Sequence, residues 1–129
     1  MKNSFEKLGL NYDLINEKYP NIDEYKNIVK FYLDDEFFEG IGSYLENEDY
    51  ALAKDACKGL FILAQDLYLY PLYIALMEVY EDLEEKTYTD VLKHYDEMKS
   101  VYEKFKGVFW CLKRLLLVQD MQVLKPLWL

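Results

Sequence analysis

The chain has 129 residues and a mass of 15.5 kDa, near the common size of one domain and long enough to bury a real core. It is 52% hydrophobic and 17% aromatic, with only five glycines and three prolines, which excludes a disordered chain. A formal net charge of −9 disfavours nucleic acids and anionic membranes as partners, because like charges repel over a Debye length of about 8 Å.

The charge is uneven. Residues 1–105 carry 11 lysines against 23 acids, a net −12, whereas residues 106–129 carry four cations against Asp120, a net +3. The N-terminal stretch MKNSFEKLGLNYD has no apolar signal region, and no apolar run reaches the ~18 residues of a membrane span. A cytoplasmic location is expected.

In chain order, Leu8, Tyr12 and Ile15 give a short apolar stripe before Pro20, which predicts a lid-like helix of about two turns between Leu8 and Tyr19. Asn21 then suits a helix N-cap, with Asp23 and Glu24 in the first turn. Ile22, Tyr25, Val29, Leu33, Phe37, Ile41 and Tyr44 fall nearly in phase and predict one long helix, weakened near Gly40 and Gly42. The acidic run Asp34, Asp35, Glu36 reads as a solvated face.

Asn47 to Asp49 predicts a turn, with Asp49 capping a central helix that begins near Tyr50. Leu52, Ala56, Leu60, Leu63 and Leu67 recur at threes and fours and are expected to face the core. A neighbouring outward stripe holds Asp55, Lys58, Gly59 and Ile62, with Lys54 and Gln65 at its edges. A mid-helix glycine costs about 1 kcal/mol relative to alanine, so Gly59 asks for a reason. A surface Asp55–Lys58 pair beside a close helix contact would be the ordinary one.

The central helix should end near Tyr68 to Tyr70, because Pro71 suits the first position of a new helix. Leu72, Leu76, Val79 and Leu83 form the core face of that helix, and Glu78, Glu81, Glu84 and Glu85 its wet side. Thr87 or Thr89 caps a further helix with the stripe Val91, Tyr95, Met98, Tyr102 and Phe105. Gly107 is expected to end it. An apolar C-terminal helix then follows over residues 108–125, and Phe109, Trp110, Leu112 and Leu116 are its candidate surface for a homodimer.

The segment Ala53 to Leu60, A-K-D-A-C-K-G-L, resembles the signature helix of histidine phosphotransfer (HPt) domains, Ala-His-x-Leu-Lys-Gly followed by small residues. The acidic link Glu46 to Ala53 and the spacing of Leu69, Leu72, Leu76 and Val79 are similar to the family's flanking segments, so the resemblance covers about residues 9–105. It implies an up-down antiparallel four-helix bundle with a short N-terminal helix. It also implies docking to a receiver domain or histidine kinase through Asp55, Lys58, Gly59, Ile62, Lys54 and Gln65.

The phosphoacceptor is missing. Asp55 stands in the histidine's place, Cys57 in that of a leucine, and the small residues after the glycine are replaced by Leu60, Phe61, Ile62 and Leu63. A neutral imidazole nitrogen forms phosphohistidine, whereas an exposed carboxylate is already anionic at neutral pH. The implied function is therefore a non-catalytic HPt-like module of a two-component phosphorelay; the alternative is a helical interaction or oligomerisation protein.

No metal-ligand repeat, phosphate loop or nucleophile elbow is present, and Cys57 and Cys111 lack zinc spacing. Neither a cofactor, a metal nor catalysis is expected, and both thiols should be buried and reduced. His94, the single histidine, falls off the core stripe and reads as an exposed structural residue without an orienting partner in sequence.

Overall fold

The computed structural model describes the backbone of residues 2–128 and the side chains of residues 2–110. All regular structure among these residues is helical. The elements are α1 (Lys2–Lys7), α2 (Tyr12–Lys18), α3 (Ile22–Tyr32), α4 (Asp35–Glu46), α5 (Tyr50–Asp66), α6 (Tyr70–Glu85) and α7 (Tyr88–Trp128). The helix α5 packs against both α4 and α6, α6 packs against α7, and α3 and α4 also meet α7. Among the described residues no helix is long and apolar enough to cross a membrane.

The chain reverses by one device used four times. Gly9, Glu48, Tyr68 and Lys86 each adopt a left-handed conformation, with φ of 79°, 58°, 60° and 61°. The next amide then reaches back to a carbonyl of the last turn: Leu10 N to Phe5 O, Asp49 N to Tyr44 O, Leu69 N to Ala64 O and Thr87 N to Asp82 O. These bonds satisfy carbonyls that a helix end leaves without partners. Three of the four positions lack glycine, so composition does not announce them.

The helix predicted between Leu8 and Tyr19 is confined to α2, and ahead of it, before Gly9, stands a helix that was not predicted, α1, whose Phe5 is fully buried against Tyr12, Tyr25 and Phe109. The long helix predicted over 22–44 breaks at Leu33 and Asp34, ahead of both glycines. Asp34 caps α4 by accepting the Glu36 amide at 2.8 Å. That break rotates the apolar phase, so Phe38 enters the core and Phe37 faces outward. The acidic run is thus a cap followed by a structural pair rather than a merely wet face. Asp35 accepts the Tyr102 hydroxyl at 2.5 Å and the Lys106 ammonium at 2.7 and 2.6 Å.

The predicted core stripe of α5 is turned by part of a step. Ala53, Cys57, Leu60, Ala64 and Leu67 are buried, whereas Leu52 and Leu63 are each 50% exposed. Three tyrosine hydroxyls reach carbonyls in the C-terminal part of the helix. Tyr32 donates to Leu60 O at 2.6 Å, Tyr25 to Leu67 O at 2.6 Å and Tyr19 to Asp66 O at 3.1 Å. The last two carbonyls lie at the open end of α5, where a buried phenol suits an orphan acceptor.

The stripes of α6 and α7 are as predicted: Leu72, Leu76, Val79 and Leu83 are buried, as are Val91, Tyr95, Met98, Tyr102 and Phe105. Gly107, however, does not end the helix, which runs continuously to Trp128. Phe109, expected at a dimer surface, is fully buried within the chain, and Trp110 donates its indole N–H to Leu33 O at 3.2 Å. Leu112, Leu116 and Cys111 lie outside the residues whose side chains are described.

Candidate functional site

The outward stripe of α5 is built by the helix period. Asp55, Gly59 and Ile62 are three and four residues apart and therefore share one face, and all three are solvent-exposed, as are Lys58 and Gln65. The stripe borders α4 on one side and α6 on the other. Lys54, half-buried on the α6 side, pairs with Glu84 at 2.6 Å. Hydrogen bonding to that carboxylate raises its pKa and lowers that of Glu84. Lys54 is thereby held to α6 rather than to the stripe. Among the described residues no ion pair joins Asp55 to Lys58.

On the α4 side lies a concavity of about 420 Å³, lined by Asp55, Ala56 and Gly59 of α5 and by Phe37, Gly40 and Tyr44 of α4. Gly40 and Gly59 thus border the same space. Among the described residues a Cβ added to either would meet nothing within 4 Å. Neither glycine is required for packing among them, so the expectation that Gly59 admits a neighbouring helix of its own fold is not met by the described residues. The contrast is Gly42, where a Cβ would lie 2.5 Å from the Tyr95 hydroxyl oxygen.

Phe37, Leu60 and Leu63 also line a second, larger groove of about 680 Å³ between α3 and α5. Its apolar surface comes from Ile28 and Phe31 as well, and Phe31 is 85% exposed. Glu24 and Asp66 give it an acidic rim. An apolar surface of this kind on a charged molecule marks a contact site more often than chance exposure. These groove residues were missed in sequence because Phe37 and Leu63 fit the predicted core stripes. The available signal was the doubling of large apolar residues at Phe31-Tyr32, Phe37-Phe38 and Ile62-Leu63, since neighbours on a helix point about 100° apart and a narrow core face leaves one or both of them outside.

Cys57 is fully buried, and burial pushes its thiol pKa up to about 12. It is a small apolar core residue without thiolate chemistry at neutral pH. His94 departs from expectation: its side chain is 27% exposed, and its Nδ1 meets Asp82 Oδ2. That hydrogen bond raises its pKa. The orienting partner comes from α6, twelve residues earlier.

No family model, no curated protein and no solved structure matches the chain.

Proposed function

We propose that this chain is a non-catalytic HPt-like signalling module. In this reading α3 and α4 together form the first arm of an up-down four-helix bundle, and α5, α6 and α7 form the other three. The α4–α5 face docks a response-regulator receiver domain or a hybrid histidine kinase in the cytoplasm. No phosphoryl group is accepted, since Asp55 offers an anionic carboxylate where phosphotransfer needs a neutral imidazole.

One observation carries the reading: Gly40 and Gly59 both border the concavity beside Asp55 with open space above them. Each costs its helix about 1 kcal/mol relative to alanine, and neither relieves a contact among the described residues. Close approach by another molecule supplies the reason that the fold does not. The adjoining groove at Phe31, Phe37 and Leu63 adds apolar area. Lys58 adds an exposed cation on the α6 side of the stripe.

The test is a binding screen of the purified chain against isolated receiver and kinase domains of its own host. At least one should bind with micromolar affinity, and Gly59→Arg and Phe31→Ser should each weaken it tenfold or more. Both variants keep the wild-type helical signal, because a side chain at Gly59 meets open space and Phe31 is exposed. Absence of any binding partner in the screen, or binding by both variants as tight as that of wild type, overturns the proposal.

A further inference from the structure

The second concentration of chemistry lies on a different face, where α6 meets α7. Glu78 and Asp82 are one turn apart on α6, and His94 and Glu97 are one turn apart on α7. One ring nitrogen of His94 and one carboxylate oxygen from each of Glu78 and Glu97 lie within 4.8 Å of one another. Both glutamates are exposed, and neither makes an ion pair with a lysine among the described residues.

Asp82 gives this group its order. Its side chain is only 13% exposed, and one carboxylate oxygen accepts the Thr87 hydroxyl at 3.2 Å while the other meets His94 Nδ1. Thr87 is in turn tied to Asp82 O at 3.3 Å. A carboxylate held on Nδ1 keeps the proton there and leaves the lone pair of Nε2 free to coordinate a cation. Metal-binding histidines are oriented in this manner, by a carboxylate on the ring nitrogen that does not bind the metal.

We propose that Glu78, His94 and Glu97 form a Zn²⁺ site that staples α6 to α7, with Asp82 as the outer carboxylate. The donor set is one imidazole and two carboxylates, and water completes a tetrahedral shell. Zinc is favoured over Mg²⁺ because an imidazole nitrogen suits it and hard cations prefer oxygen alone. Bonds of about 2.0–2.2 Å place tetrahedral donors ~3.4 Å apart. The 4.8 Å grouping therefore has to close by roughly an ångström, which rotation of two exposed glutamate side chains supplies. Bound zinc stabilises the folded chain by mass action, since the unfolded chain does not gather these donors. This site is independent of the α4–α5 docking face.

His94 is the single histidine, so its ring resonances report on this site alone. The experiment titrates the metal-free full chain with ZnCl₂ by calorimetry and by ¹H–¹⁵N correlation of the ring nitrogens, with Mg²⁺ in excess. One equivalent should bind and move the His94 ring signals. Glu78→Gln and Glu97→Gln should each weaken binding tenfold or more, while Glu81→Gln, on the wet side of α6 outside the group, stays within twofold. Zinc should raise the melting temperature of wild type and not that of the Glu78→Gln, Glu97→Gln double variant. No saturable binding up to about 1 mM, saturable binding with the ring signals unmoved, or wild-type affinity in both glutamine variants overturns the site.

Discussion

Gly42 of α4 lies directly beneath the phenol of Tyr95 of α7. A Cβ at position 42 would fall 2.5 Å from the hydroxyl oxygen and 2.9 Å from Cζ. The ring cannot swing away freely, since Tyr95 is buried and its hydroxyl donates to Phe38 O at 3.3 Å. Gly42→Ala should therefore lower stability by about 1 kcal/mol: overpacking costs about 1–3 kcal/mol and alanine returns up to about 1 kcal/mol of helix propensity. Gly59→Ala should do the opposite, raising stability by up to about 1 kcal/mol. Urea denaturation of the two variants beside wild type gives both signs. A stabilised Gly42→Ala would show that Tyr95 yields at no cost.

The left-handed residues after α4 and α6 are a second place to intervene. A non-glycine residue in that conformation costs about 1–2 kcal/mol, part of which glycine loses again through unfolded-state freedom. Glu48 and Lys86 are exposed. Glu48→Gly and Lys86→Gly should each raise stability by about 0.5–1 kcal/mol, read from thermal melts. Tyr68 is a poorer choice, since its ring packs edge-on against Tyr19 and Tyr70.

Acid should loosen the contact between α4 and α7. The Lys106 and Tyr102 hydrogen bonds hold the Asp35 carboxyl below its ordinary range. A carboxylate with a depressed folded pKa contributes stability above its unfolded value of about 3.9, and loses it as pH falls through the folded pKa. The stability gap between wild type and Asp35→Asn should thus be full above about pH 5 and should close on further acidification. Because Asp35 is about half exposed, solvent screening keeps the gap small. Denaturation curves at stepped pH measure it, and a gap that does not change with pH would assign the pair no role.

The N-terminal helix should behave as core. Phe5 is fully buried among Tyr12, Tyr25 and Phe109, and removing a buried phenylalanine ring costs about 3–5 kcal/mol. Phe5→Ala should fall in that range by urea denaturation. A loss below about 1 kcal/mol would mean that α1 is a dispensable appendage.

Much of this architecture is written in helical periodicity. The stripes of α6 and α7 predict their buried faces residue by residue, because each is an uninterrupted helix with one core-facing side. Asn21 is legible as a cap, and its side chain does accept the Glu24 amide at 3.1 Å. The break at Leu33 and Asp34 is less so, since the apolar spacing runs through it almost in phase and only the cap geometry of Asp34 stops the helix. Asp55, Lys58, Gly59 and Ile62 are legible as one exposed stripe, but their neighbours are not. Phe37 borders the space beside Asp55 and Gly59, and Phe31 the adjoining groove, because α3 and α4 are separate helices, and that is decided by packing.

By itself, then, the amino-acid sequence determined an all-helical chain, the core faces of α6 and α7 and the outward stripe of α5, since these depend on residues within a few turns of one another. The tertiary structure alone decided which glycine stands over empty space and which beneath a tyrosine. It also placed Asp82 on the His94 ring, Phe5 on Phe109, and a groove where α3 and α4 meet α5. Each of these joins residues from separate helices, and local spacing carries no information about which helices pack together.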